Sequence, residues 1–291
     1  MNPFANVPVP TTPEGRHIFK HSHGMELALC VKQPTKKRWE NAPFALLIVG
    51  GGWWNDPVGD TPTGTFAASQ ATPLLEEGWG LVTVQFAGVG QQELMQDILG
   101  DILDGVAYLQ HYQDVFHLDC HRILTTGVSA PAHLSLMLAM APHELLARGC
   151  AYPVEFTVIG CIACNAPCIL FPVENGKFLY FDDRQDDYYQ VLMGGGYTDL
   201  PEPHHTYSPI TYADRPHPPL FIVYSGDDSV VPPEQSIRLV KACQQAGTPL
   251  HTVCLQKNGG HGLDATPGKQ ADPDKATLLT QFFAYARELV E

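Results

Sequence analysis

The segment Arg122–Leu134 places one serine between two different patterns. An apolar, β-branched run leads into Gly127-Val-Ser129, and apolar residues at helical spacing follow at once. A serine on such a strand–turn–helix elbow stands above a sheet at a helix N-terminus, where the helix dipole favours developing negative charge. The pattern therefore suits a nucleophile. A serine that only caps the following helix is the competing interpretation.

Three consecutive glycines follow an earlier apolar run, Ala45–Val49. Gly50–Gly52 present backbone N–H groups without side chains, which is what an oxyanion hole requires. A glycine turn can also bind phosphate, but no Lys-[Ser/Thr] follows it and no G-x-G-x-x-G fingerprint is present. The sequence therefore favours oxyanion stabilisation over nucleotide binding.

Two acids and a histidine follow later predicted strands. Asp227 and Asp228 come just after Leu220–Tyr224, and His261 lies in a Gly-Gly-His-Gly turn just after Pro249–Leu255. The carboxyl ends of strands form the functional edge of an open α/β sheet. Serine, aspartate and histidine occur here in the chain order of α/β-hydrolases. The alternative for either aspartate is a turn that caps the next helix.

The elements that must position these residues alternate between strands and helices. Nearly continuous apolar runs predict strands buried on both faces, and such alternation predicts an α/β fold with a mostly parallel central sheet and helices on both faces. The predicted strands are Leu27–Val31, Ala45–Val49, Leu81–Phe86, Arg122–Thr126, Thr157–Ala163, Leu220–Tyr224 and Pro249–Leu255. The predicted helices are Phe66–Glu77, Glu93–Gln110, Ala130–Ala141, Pro233–Ala246 and Lys275–Leu289.

Segment 168–216 interrupts this alternation with aromatic residues, prolines and a run of three glycines. An insertion of this kind between core strands is typical of a lid or a substrate wall. A surface excursion whose aromatic rings only cover the sheet is the alternative. We find no linker or repeat, so we predict a single domain over residues 1–291.

Composition excludes several classes of partner. Seventeen Lys and Arg against 31 Asp and Glu give a net charge of −14, which disfavours binding to a phosphate backbone. The sequence shows no apolar run long enough to cross a membrane and no secretory signal, so we expect a cytoplasmic protein that binds neither membrane nor nucleic acid. The eight cysteines include Cys161-x-x-Cys164, which lies in an apolar run and favours buried thiols over a disulfide or a metal site.

Taken together, the four motifs resemble the α/β-hydrolase family, in particular carboxylesterases with an HGGGW-like motif. These are similar to acetyl-xylan-esterase-like and hormone-sensitive-lipase-like enzymes. The resemblance extends from about Leu27 to the C-terminus, and Ser208–Ser236 is especially similar to the family segment that leads to the catalytic aspartate. It implies Ser129 as nucleophile, His261 as general base and Asp228, rather than Asp227, as the acid that orients the imidazole.

The resemblance also assigns the oxyanion hole to the N–H groups of Gly51, Gly52 and Ala130, and it places Trp53 beside the substrate. Two positions depart from the family. Val49 stands where the family has the histidine that braces the glycine turn. Pro131 stands where glycine is usual, and proline disfavours helical geometry in the residue before it.

The implied reaction is hydrolysis of carboxylic esters through an acyl-enzyme, with no metal or organic cofactor. The expected substrate is a small-molecule or oligosaccharide ester with a small acyl group, such as acetyl on a sugar or xylan fragment. A prolyl-type peptidase, an arylformamidase and an inactive α/β-hydrolase that acts as a binding protein are the alternatives. A homo-oligomer is compatible with the sequence.

Overall fold

The computed structural model describes residues 2–64, 70–180 and 185–291. These residues form eight strands and nine α-helices. The strands are β1 (Gly15–Ser22), β2 (Met25–Lys32), β3 (Ala42–Ile48), β4 (Gly80–Val84), β5 (Leu118–Val128), β6 (Val158–Cys164), β7 (Leu220–Ser225) and β8 (Leu250–Gln256). The helices are α1 (Thr72–Glu76), α2 (Met95–His111), α3 (Gln113–Phe116), α4 (Ala130–Met140), α5 (His143–Leu146), α6 (Gln185–Met193), α7 (Pro201–Thr206), α8 (Glu234–Ala246) and α9 (Lys275–Glu288).

The chain divides into two compact units. The first unit comprises residues 1–126 and 142–159, and the second comprises residues 127–141 and 160–291. The division does not test the prediction of a single domain, which stays a prediction. The second unit contains the predicted nucleophile, acid and base, and the first contains the glycine turn.

The strands of the first unit pair in the order β1-β2-β4-β3-β5. β1 and β2 are antiparallel, as are β2 and β4, whereas β3 is parallel to both β4 and β5. Every residue of β3 and of β4 is buried, which is the pattern of strands covered on both faces. These are the strands that lead into the glycine turn and into the loop after Val84.

A buried ion cluster attaches α2 to β1. The Lys20 ammonium lies 2.7 Å from a carboxylate oxygen of Asp101 and 2.7 Å from one of Asp104. Asp101 also accepts the Ala87 N–H at 2.9 Å, and Asp104 accepts the Ala151 N–H at 2.9 Å. Burial raises the pKa of both carboxyl groups, and the contact with Lys20 opposes that effect. The cluster therefore joins a strand, a helix and two loops of the first unit.

The second unit carries the parallel strands β6, β7 and β8 in that order. The Tyr285 hydroxyl on α9 donates to the Pro219 carbonyl and accepts the Cys161 N–H at 3.2 Å. A Cβ at Gly160 would lie 2.5 Å from that hydroxyl oxygen, so a larger residue there would displace the Tyr285 side chain. This hydroxyl therefore links β6 and β7 next to the pair Cys161 and Leu220.

All the predicted strands are present, and most are parallel to their neighbours. β1 was not predicted, because its polar, histidine-containing sequence lacks the apolar run used to recognise the others. The predicted helix Phe66–Glu77 is corrected to Thr72–Glu76, and its residues 66–69 lie outside the described residues. Segment 168–216 contains the two helices α6 and α7, which the turn-rich sequence concealed.

The eight cysteines are free thiols, of which six are buried. Cys161 and Cys164 are fully buried. Burial raises the pKa of Cys164 and also that of the two half-buried residues, Cys150 and Cys254. Within the described ranges, no helix is both long and apolar enough to cross a membrane.

Candidate active site

Ser129 occupies a strained backbone conformation between β5 and α4. Its φ of 65° and ψ of −131° lie in a region that residues with a side chain rarely adopt. A Cβ at Gly127 would lie 2.4 Å from the Pro131 carbonyl carbon, so the turn closes only with glycine at that position. The Ser129 N–H donates to the Cys164 carbonyl at 2.9 Å, which fixes the elbow to the end of β6. Strain of this kind is characteristic of functional turns.

Pro131 fits the first turn of α4. The Ser129 carbonyl accepts the N–H groups of Ala132 at 2.9 Å and of His133 at 3.1 Å, so the helix begins normally around the proline. The N–H groups of a helix's first turn have no intrahelical acceptor, and the missing donor of Pro131 is therefore not lost from the helix. Ala130 keeps an N–H at the helix N-terminus, as the oxyanion prediction requires.

Asp228 and His261 form a hydrogen-bonded pair. His261 Nδ1 lies 2.9 Å from Asp228 Oδ2 and 3.1 Å from Oδ1. Asp228 Oδ1 also accepts the Val230 N–H at 2.8 Å and the Val231 N–H at 3.1 Å, which fixes the carboxylate. The Asp228 side chain is fully buried and that of His261 is 27% exposed. An Nδ1–H bound to a carboxylate leaves Nε2 as the basic nitrogen.

Asp227 makes different contacts from Asp228. It accepts the Gly260 N–H at 3.1 Å and the Thr266 hydroxyl at 2.7 Å, and so holds the loop that carries His261. The hydrogen bonds from Thr266 and Gly260 lower the pKa of its carboxyl group. Of the two neighbouring acids, the structure brings only Asp228 to the imidazole.

Asn165 connects the components of the site within the second unit. Its side-chain amide donates to the Gly260 carbonyl at 3.1 Å and to the His261 carbonyl at 2.8 Å, and its oxygen accepts the Ser225 N–H at 2.8 Å. Asn165 is 1% exposed and has a φ of 48°. The preceding residue, Cys164, accepts the Ser129 N–H. Cys164 and Asn165 therefore connect the turn at Ser129 to the histidine loop, the loop that carries His261.

The glycine turn of the first unit is a single 3-10 turn, Gly51–Trp53. Gly50 has a φ of 118° and Gly52 a φ of 63°, conformations that favour glycine. A Cβ at Gly50 would lie 2.2 Å from the Trp54 carbonyl oxygen. The first N–H groups of such a turn have no partner within it, which leaves Gly51 and Gly52 suited to the predicted donation.

Asn55 and Gln85 brace this turn in the absence of the family's histidine at Val49. Asn55 Nδ2 donates to the Phe86 carbonyl at 2.5 Å, and its oxygen accepts from Gln85 Nε2 at 3.2 Å. Gln85 Oε1 in turn accepts the Ala28 N–H at 3.2 Å. The turn is therefore tied to β2 and to the loop after β4 by amide side chains.

The two tryptophans of the turn differ in exposure. Trp53 is 3% exposed and Trp54 is 46% exposed. A Cβ at Gly90 would lie 2.7 Å from the Trp54 ring, so the indole rests closely on that glycine. The predicted contact of Trp53 with substrate stays a prediction, and Trp54 presents the larger accessible surface.

The helix that follows Ser129 contains a neutral, fully buried histidine. His133 Nε2 donates to the Tyr207 carbonyl at 2.7 Å, and burial lowers the pKa of His133 to about 4. The unfolded chain binds a proton here near pH 6.5, whereas the folded chain does not until about pH 4. Protonation between these values therefore favours unfolding.

We expect the free energy of unfolding to lose about 3 kcal/mol to His133 as the pH falls through this window, at 1.36 kcal/mol per unit of pKa shift. The contribution is complete above the unfolded pKa. Denaturant unfolding at several pH values, with His133→Gln alongside, measures it. A variant that loses stability with acid as steeply as the parent contradicts the assignment.

The sequence model of one family, BD-FAE, matches residues 30–243, which is most of the chain. The chain belongs to the BD-FAE family. A curated relative, esterase LipQ of Mycobacterium tuberculosis (strain ATCC 25618 / H37Rv), is 23% identical over 237 residues that make up 80% of this chain and 53% of the relative. The chain thus spans about half the length of the curated relative it matches.

Solved structures show the same fold. The thermophilic esterase Est2 of Thermogutta terrifontis superposes with a TM-score of 0.67 at 18% identity, over 97% of this chain and 96% of that one. A truncated carbohydrate esterase from gut microbiota gives a TM-score of 0.69 at 18% identity, over 97% and 99%. These matches confirm the predicted α/β-hydrolase fold of this BD-FAE member.

Sequence reasoning missed the amide residues of the site. Asn165 directly follows the apolar run of β6, and its position at a strand's carboxyl end is the one signal that marks it. Asn55 and Gln85 are single polar residues without a motif. The BD-FAE match does not identify them either, because a family match assigns a region rather than hydrogen bonds.

Proposed function

We propose that the chain is a serine hydrolase that cleaves carboxylic esters through an acyl-enzyme, with Ser129, Asp228 and His261 as its triad. The hydrogen bond between His261 Nδ1 and the buried Asp228 carboxylate carries this proposal. The strained elbow at Ser129 and its link through Cys164 and Asn165 to the histidine loop support it.

In the proposed reaction, His261 Nε2 removes the proton from Ser129 Oγ as that oxygen attacks the ester carbonyl. The Ala130 N–H stabilises the oxyanion, and the Gly51 and Gly52 N–H groups are the further donors predicted from the sequence. The imidazolium, stabilised by Asp228, gives its proton to the leaving alcohol. Water activated by His261 then cleaves the acyl-enzyme, which releases the acid and restores Ser129.

The proposed substrate is an ester of a small acyl group on a carbohydrate, such as an acetylated sugar or xylan fragment. Two comparisons support it: a carbohydrate esterase shares the fold, and the Est2 esterase was solved with propionate and with butyrate bound. No cofactor enters the proposed chemistry.

The test is hydrolysis of nitrophenyl esters from acetate to octanoate by the parent and by Ser129→Ala. We expect a preference for short acyl chains and a loss of kcat of about 10⁶-fold in the variant, the size found when a triad serine is removed. Ser229→Ala, which changes an exposed serine next to the acid, is the control and should retain the parent rate.

A fluorophosphonate probe separates the alternatives. Labelling of Ser129 without ester turnover indicates an amide or peptide substrate, as for a prolyl-type peptidase or an arylformamidase. A folded chain that shows neither labelling nor turnover is inactive, as the binding-protein alternative requires, and the proposal is then wrong.

A further inference from the structure

A cavity of about 390 Å³ lies within the second unit, in the insertion between β6 and β7. Its walls include Phe178, Gln190, Gly196, Tyr197, Thr198 and His204. Ligand pockets usually have about 300–1,000 Å³, so this cavity is large enough for a small ring. None of the residues assigned above to the triad or the oxyanion hole lines it.

Buried polar groups fix one wall of the cavity. His204 is 1% exposed, and its two ring nitrogens lie 2.8 Å from the Leu170 carbonyl and 3.1 Å from the Gly195 carbonyl. The fully buried Ser208 hydroxyl accepts the Leu170 N–H at 2.8 Å and donates to the His204 carbonyl at 2.7 Å. These hydrogen bonds hold together Leu170, which follows β6, the helix α7 and Gly195.

Gln235 of α8 fixes the other wall. This side chain is 1% exposed, and its oxygen accepts the N–H groups of Cys168 at 2.9 Å and Ile169 at 2.8 Å. Its nitrogen donates to the Leu179 carbonyl at 2.7 Å, next to Phe178. The cavity is thus preformed, which reduces the entropy that a ligand must overcome.

The lining favours a neutral ring that carries hydroxyl groups. Phe178 and Tyr197, whose rings lie 6.3 Å apart at 86°, contribute apolar surface to the lining. The side chains of Gln190 and Thr198 are exposed and can exchange hydrogen bonds with hydroxyl groups. The lining residues that the structure describes include no aspartate, glutamate, lysine or arginine, which disfavours a charged ligand. Apolar faces beside amide and hydroxyl groups match a pyranose ring.

We propose that this cavity is a subsite that binds one neutral sugar unit of the substrate at a distance from the ester being cleaved. The proposal rests on the proposed function, since it gives the carbohydrate ester a second point of attachment. Binding energy from such a remote contact lowers KM for the polymer without changing the chemical step on small esters.

The test uses the full chain with Ser129→Ala, which leaves the cavity intact. Xylo-, manno- and cello-tetraose, which carry no ester, are titrated calorimetrically. We expect one of these tetraoses to bind. Gln190→Leu should lower the affinity for it about tenfold, which corresponds to the loss of roughly 1.4 kcal/mol of hydrogen bonding. Gln244→Leu, which changes an exposed glutamine of α8, is the matched control and should bind as the parent does.

A kinetic measurement completes the test. With Ser129 present, Gln190→Leu should raise KM for an acetylated oligosaccharide about tenfold and leave nitrophenyl acetate kinetics unchanged. If no tetraose binds, or if Gln190→Leu binds as tightly as the control, the subsite is overturned. Absence of ester turnover in the parent refutes the proposed function alone, because the calorimetric result does not depend on catalysis.

Discussion

Asp228→Asn should lower kcat for nitrophenyl acetate by about 10⁴-fold, as happens when the triad carboxylate of other serine hydrolases becomes an amide. The asparagine cannot stabilise the imidazolium, and its amide can donate to Nδ1, which moves the proton of His261 to the nitrogen that must act as base. Because Asp228 is held by the N–H groups of Val230 and Val231, the amide nitrogen is further directed away from them and towards the ring.

Asp227→Asn is the matched control, since it makes the same change one residue earlier. Its oxygen can still accept one of the bonds from Gly260 and Thr266, so we expect a loss of kcat below about tenfold, the effect of one weakened hydrogen bond. Comparable losses in both variants, or the larger loss in Asp227→Asn, would show that the wrong carboxylate has been assigned to the triad.

Asn165→Asp should lower kcat by about 10²-fold with KM little changed, because a displacement of the base by about 1 Å has an effect of this size. Aspartate has the same shape as asparagine, and it also tolerates the φ of 48° at this position. It replaces the two N–H donors by an oxygen that faces the carbonyls of Gly260 and His261. The repulsion should move the histidine loop away from Ser129.

The low-field proton resonance of His261 Nδ1–H distinguishes this positioning function from general loss of stability. We expect it to shift or broaden in Asn165→Asp while the rest of the spectrum keeps its folded dispersion. Asn258→Asp is the control: Asn258 also has a positive φ, of 55°, and donates to a carbonyl, that of Gln270, rather than to His261. Equal effects at the two positions would contradict a specific function for Asn165.

The sequence predicted the residues that stand at strand ends with a recognisable motif. Ser129 and His261 were predicted because glycines mark their turns, and the acid was predicted because it follows a continuous apolar strand. The choice of Asp228 over Asp227 came from the family resemblance, and the hydrogen bonds to His261 now provide the physical reason. Local sequence patterns therefore identify candidate residues where the proposed chemistry needs a turn that only glycines allow or a position at a strand end.

Asn165 could not be predicted in this way. Its partner His261 lies 96 residues further along the chain, and nothing in the local sequence indicates which carbonyls a buried amide will meet. The same holds for Gln235, whose contacts with Cys168 and Ile169 span 67 and 66 residues. Long-range hydrogen bonds depend on the complete fold, whereas strands and turns are largely determined by neighbouring residues.

The buried cysteines have a consequence for chemoselectivity. The thiolate is the reactive form of cysteine, and the pKa of even the half-buried Cys150 is raised to about 12. Cys254, the other half-buried residue, is shifted in the same direction. At neutral pH these two thiols stay protonated and react slowly with electrophiles. An acylating or phosphonylating reagent applied to the folded chain therefore meets little competition from these two thiols.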